Sequence, residues 1–265
     1  MKPHQRFTHR NLSPKDRKTR EISHLISKFN FWFEVAITPR IGELNDNIEK
    51  LTNKVRKIEN EIEEFQRSNE ENEENESHYE KYFDIYAELG EKQAEIDLLV
   101  MQKLSIEEMK IVCLYKEFEI LLKEILAISF QDFDIDKIYK WEQIKTVLNN
   151  AGIIIGDIKN HIQINELRVI NNNIKHQNII SDQVIKSDIV EFKDKYEFDS
   201  ESLSKFYSRI KAEPIVFLKY IARKIIDYLF VFNDERIEKI ASQYDNRINK
   251  ETAVKLAKLL IKRHS

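Results

Sequence analysis

From Ile41 onward the chain repeats itself every seven residues. Ile41, Ile48, Val55 and Ile62 hold one register, and Leu44, Leu51, Ile58 and Phe65 interleave at the same period. A sustained apolar seam of this period specifies a helix that supercoils against another helix, left-handed, as in a coiled coil. At the helical rise per residue the seam extends roughly 37 Å. It stops at Gln66, and Asn69 to Glu76 contains no apolar residue, so this stretch reads as a solvated tip. Apolar residues return with Tyr79, Tyr82, Tyr86, Leu89, Ile96 and Val100. The economical reading is an antiparallel coiled-coil helical hairpin over 41–104. Pairing with a second chain is the alternative.

The rest of the chain agrees with helices. Only 4 Gly and 4 Pro occur in 265 residues, too few for the turns of a sandwich or a doubly wound sheet. Lys, Glu, Leu and Ile dominate, which suits helices. Charged residues reach 34%, yet the 42% that are hydrophobic allow a real core. The expected fold class is therefore all-α. The single Cys113 excludes a disulfide framework and a Cys-rich zinc module and fits a reducing compartment. The first 20 residues are basic and polar, without the apolar segment of a signal peptide. The apolar runs 111–130 and 215–232 are broken by charges such as Lys116, Glu117, Arg223 and Asp227, so no membrane span is expected. A cytoplasmic location follows as the expectation. The net charge of −3 argues against a general nucleic-acid glue, and contact with RNA needs a local site or an assembled surface.

Further helices can be placed. Ser13-Pro14 reads as N-cap and first helical residue. The helix it opens extends to about Ala36, with Ile22, Leu25, Ile26, Phe29 and Trp32/Phe33 on one face, until Pro39 interrupts. Ser105-Ile106-Glu107-Glu108 has the form of a capping box and opens a strongly apolar helix over about 106–129. Helices follow around 138–149, 158–177, 201–231 (split or kinked at Pro214) and 235–262. The domain division is a tail and helix over 1–40, the hairpin over 41–104 and a helical domain over 105–265.

One helix is placed to carry chemistry. Within "NELRVINNNIKH" (165–176), Arg168, Asn172 and His176 recur every four residues and stack on one face. Leu167, Ile170 and Ile174 form an apolar stripe nearly opposite, so the trio faces solvent or another subunit. Asn171, Asn172 and Asn173 in succession are poor helix formers, which invites a functional reading beside the plain one of a solvated face.

The stretch "ELRVINNNIKHQ", preceded by an apolar helix and by "KWEQIKTVLNNAGI", resembles the HEPN superfamily of helical nucleotide-binding and ribonuclease domains over about 105–232. The motif of that family is an Arg, usually followed by Asn or another polar residue, and then a His, with four to six residues between Arg and His. Asn172 matches the motif Asn and His176 the His, but Asn171 stands where the Arg belongs. The nearest Arg is Arg168, with seven intervening residues. The resemblance implies a HEPN-like helical bundle and a homodimer with the motif helices facing across a two-fold axis. It also implies metal-independent endoribonuclease activity without a cofactor, in the setting of a toxin or phage-defence effector. His176 would act as general acid or base, Arg168 would meet the scissile phosphate, and Asn172 would hold the phosphate or orient the His. Asn171 and Lys175 are candidate substrate contacts, although Lys175 also reads as an ordinary solvated lysine. Replacement of the motif Arg leaves open a catalytically inactive HEPN-like binding or regulatory module. A coiled-coil scaffold unrelated to the family is the third reading, and the hairpin could engage a protein partner in any of them.

Other features are weaker. Asp132, Asp134 and Asp136 alternate like the start of a calcium loop but lack its glycine and distal Glu, so a loop leading into a helix is preferred. His24, His78 and His161 have no partners at metal-ligand spacing. Phe133, Tyr139 and Trp141 read as core residues rather than base-stacking groups, and Glu166 as an ordinary exposed Glu. The lysines at the C-terminus suit the helix dipole.

Overall fold

The computed structural model describes residues 12–29, 32–69, 76–130, 134, 137, 138, 140–177, 179–245 and 247–264. The central part of the proposed tip and Asp132, Phe133, Asp136 and Tyr139 lie outside them. Among the described residues the regular structure is all helical, with no strand and one isolated antiparallel bridge between Ile179 and Glu197. No helix among them is long and apolar enough to cross a membrane.

Helix α1 (Pro14–Ser27) begins as the sequence indicates: the Ser13 hydroxyl accepts the Asp16 N–H, and Pro14 occupies the first turn. It ends nine residues earlier than expected. The chain turns at Lys28 and Phe29, and Phe29 drops into the core at 7% exposure. Helix α2 (Trp32–Asn69) then runs straight through Pro39. Proline removes the N–H that would have met the carbonyl of Val35. That residue is 75% exposed, so the carbonyl remains open to solvent and the helix tolerates the loss.

Helix α2 lies against α3 (Glu76–Ser129) in the opposite direction. Phe65 meets Tyr82, Ile58 and Ile62 cluster with Ile85 and Leu89, and Leu51 faces Leu99. The α2 seam is the one read from the repeat: Leu44, Val55, Ile58 and Ile62 are all buried. On the returning arm, Tyr82, Leu89 and Ile96 turn inward, whereas Tyr79, Tyr86 and Val100 are exposed.

The capping box at Ser105 does not open a helix. Helix α3 is continuous for 54 residues, and Ser105 lies within it. Glu107, 2% exposed, turns inward and accepts from Lys110 Nζ at 2.8 Å, and Lys110 sits over the Tyr207 ring. The inner part of α3 is the spine of a helical bundle. Ile111, Phe118, Leu122, Ile125 and Leu126 are fully buried, and the Phe118 ring packs edge-on against Phe217 at 5.7 Å. Around this spine pack α1, α4 (Trp141–Asn150), α5 (His161–His176), α7 (Ser200–Ile210) and α8 (Glu213–Phe230), with the short α6 (Asp182–Lys186) beside α5. Trp141 packs on the core at Phe118. Helix α4 ends at Ala151-Gly152, where a φ of 71° requires the glycine. Pro214 stands in the first turn of α8 and separates it from α7.

The last expected helix is two, α9 (Asp234–Asp245) and α10 (Lys250–His264). Asn249 starts the second: its side-chain oxygen accepts the Thr252 N–H and its carbonyl the Ala253 N–H.

Candidate functional site

Helix α5 packs against α3 and α8 on one side and α6 on another. Leu167 and Ile170 are fully buried, Ile174 packs on the core, and Val169, Asn171 and Asn173 are buried as well. Apart from Ile162 in its first turn, the exposed residues of the helix lie on a narrow strip. It carries Asn165, Asn172, Lys175 and His176, all exposed, and Arg168, half-buried. Arg168, Asn172 and His176 therefore share one face, on roughly 12 Å of helix.

Arg168 is held rather than free. Its Nη2 donates to Asn165 Oδ1 at 2.9 Å, and its Nε is buried with no hydrogen-bond partner among the described residues. Its charge reaches Tyr115 on α3. Burial and Glu119 push that phenol above its ordinary pKa, and Arg168 opposes them.

The three asparagines have three different environments. Asn171 is 1% exposed, so it cannot contact a surface ligand, which corrects the expectation that it meets substrate. It packs inside the bundle because the third residue after Arg168 has turned past the exposed strip. Its amide Nδ2 donates to Asn172 Oδ1 at 3.1 Å, while its own Oδ1 is buried without a partner among the described residues. Asn172 is exposed, and with its oxygen accepting from Asn171 its amide N–H groups are what it can give to a phosphate oxygen. Asn173 clasps the chain that leaves α5. Its Nδ2 donates to the Ile179 carbonyl at 2.8 Å, and its Oδ1 accepts the Ser181 N–H at 2.8 Å.

Glu166 is also structural rather than an ordinary exposed residue. It accepts from Arg209 Nη1 at 2.8 Å, and Arg209 forks onto Glu191 through Nε at 2.6 Å and Nη2 at 2.9 Å, tying α5 to α7. No spacing in the sequence signals this tie, because its members are far apart along the chain. Asp134 pairs with Lys137 at 2.9 Å. Among the described residues no three His, Cys, Asp or Glu side chains gather as a metal site.

Compared with known protein families, curated proteins and solved structures, the chain matches none.

Proposed function

We propose that the chain is a HEPN-type endoribonuclease that cuts RNA between the α5 helices of two copies. The observation that carries this reading is the exposed strip of α5, where a guanidinium, an amide and an imidazole stand in line. Imidazole is the side chain suited to proton exchange near neutral pH. His176 of one copy would take the proton of a ribose 2′-hydroxyl as the 2′-oxygen bonds to the adjacent phosphorus. The bond from phosphorus to the 5′-oxygen breaks, and that oxygen leaves with a proton given by the imidazolium of the other copy. The products are a 2′,3′-cyclic phosphate and a 5′-hydroxyl. Arg168 and Asn172 would offset charge on the non-bridging oxygens.

The division of charge along the chain also supports the reading. Residues 41–104 hold 18 acidic and 8 basic side chains, whereas residues 105–265 are close to neutral with 26 basic and 25 acidic. RNA is thus repelled by the hairpin rather than by the helical domain, and the acidic hairpin suits a protein partner in a toxin or phage-defence setting.

The tether of Arg168 to Asn165 favours a second reading, a non-cleaving HEPN-like module that pairs copies or binds nucleotides. Expression in cells separates the two. Wild type should generate new 5′-hydroxyl RNA ends, and His176→Ala should remove them while light scattering still reports the wild-type mass. A wild-type chain that associates but leaves RNA intact leaves only the module.

A further inference from the structure

The last two helices extend from the body with their apolar faces uncovered. Helix α9 has no buried residue, and every described side chain of α10 is exposed. Ile237 is 52%, Tyr244 47%, Leu259 50% and Leu260 51% exposed. Arg236 fastens α9 to the end of α8 by donating to the carbonyls of Tyr228 and Val231 and lying over the Tyr228 and Phe232 rings. Beyond that point α10 folds back toward α9. Between them lies an open groove of about 470 Å³, walled by Ala241, Tyr244, Ile248, Ala253, Leu256 and Leu260.

The sequence of α10 is amphipathic. Ala253, Leu256, Ala257 and Leu260 recur at helical spacing on one face, and Lys255, Lys258 and Lys262 occupy the other. Helices of 12 and 15 residues are marginal in water by themselves, and burial of an apolar face is what normally stabilises them.

We propose that the α9–α10 arm joins two copies of this chain. The arms exchange about a two-fold axis, and α10 of each copy seats in the groove of the other to complete a four-helix bundle. Charge complementarity favours a second copy. Asp234, Glu235, Glu238 and Asp245 outnumber Lys239 and the already engaged Arg236 on α9, whereas Lys250, Lys255, Lys258 and Lys262 outnumber Glu251 on α10. In the exchanged bundle the acidic helix of one copy lies along the basic helix of the other. The arm presents Ile237, Tyr244, Leu256, Leu259 and Leu260 as exposed apolar side chains that a second copy can bury. Ala241, Ala253 and Ala257 let helices approach closely. An anionic lipid surface would suit α10 alone, but it would repel the acidic α9 beside it. The arm contains no residue of the α5 strip, so the inference stands apart from RNA cleavage.

Light scattering on the full chain at about 20 µM tests it. Wild type should show at least twice the 31.7 kDa monomer mass. The double variant Leu256→Glu/Leu260→Glu should halve the mass and leave the helical circular dichroism signal of the body in place. Charge reversal gives a second route that keeps the apolar core. Lys255→Glu/Lys258→Glu and Glu235→Lys/Glu238→Lys should each weaken association at least tenfold when alone and recover it when mixed. A monomeric wild type, or a mass unchanged by the leucine substitutions, overturns the proposal. So does a monomer that floats with phosphatidylglycerol vesicles, which assigns the arm to lipid.

Discussion

Three consecutive asparagines illustrate how little a residue type says before its neighbours are known. Asn172 is exposed, Asn171 donates to it from inside, and Asn173 holds the following loop. Helical spacing correctly places Asn172, His176 and Arg168 on one face, because the angle between positions is a property of the helix itself. It does not reveal that Asn171 and Asn173 are buried, because that depends on α3, α6 and the loop packed around them. Asn173→Ala leaves the Ser181 N–H without its acceptor and should destabilise the protein by about 2 kcal/mol. Thermal denaturation reads the loss, and limited proteolysis should show earlier cleavage at 177–181. Asn173→Asp keeps the acceptor and loses the donor, so its effect should be smaller.

At the scale of elements, long periodic segments are legible and boundaries are not. The α2 seam is apparent because eight apolar positions repeat with one period and no competing pattern. The break between α1 and α2 is missed because Phe29 and Phe33 continue the apolar pattern across a turn, while Pro39, the conspicuous helix breaker, falls where its missing N–H does little harm. The capping sequence at Ser105 is overridden because α3 already continues through it, and Glu107 is more useful paired with Lys110. Continuity also singles out Gly90, a helix-interior position where an added Cβ meets no heavy atom within 4 Å. Gly90→Ala should therefore stabilise the protein by about 1 kcal/mol. In a chain of this size that is a rise in Tm of about 2–3 °C, readable by calorimetry.

For the whole molecule, acid stability depends on a balance between two kinds of carboxylate. Burial pushes Glu108 and Glu117 above the ordinary Glu range, which favours their neutral form at low pH. Asp199 goes the other way. Burial alone would raise it, but Lys195 and the Ser202 N–H and hydroxyl at the start of α7 hold it at about 2. A depressed carboxylate contributes stability that is fully present above its unfolded value of 3.8 and is lost as pH falls toward about 2. Asp199→Asn keeps an N-cap acceptor but removes the titration. Urea midpoints between pH 4 and pH 2 should thus fall less steeply in the variant than in wild type, and equal slopes would refute the assignment.

The 54-residue α3 also has a mechanical consequence. It is a cantilever about 80 Å long, clamped among the buried side chains at its inner end and supported beyond them by α2. With about 40 Å projecting, a tilt of about 5° at the clamp sweeps the free end through about 3–4 Å. The same stiffness works in reverse: a load applied at the far end arrives as torque at Tyr115 and Phe118, directly beneath the helix that presents His176.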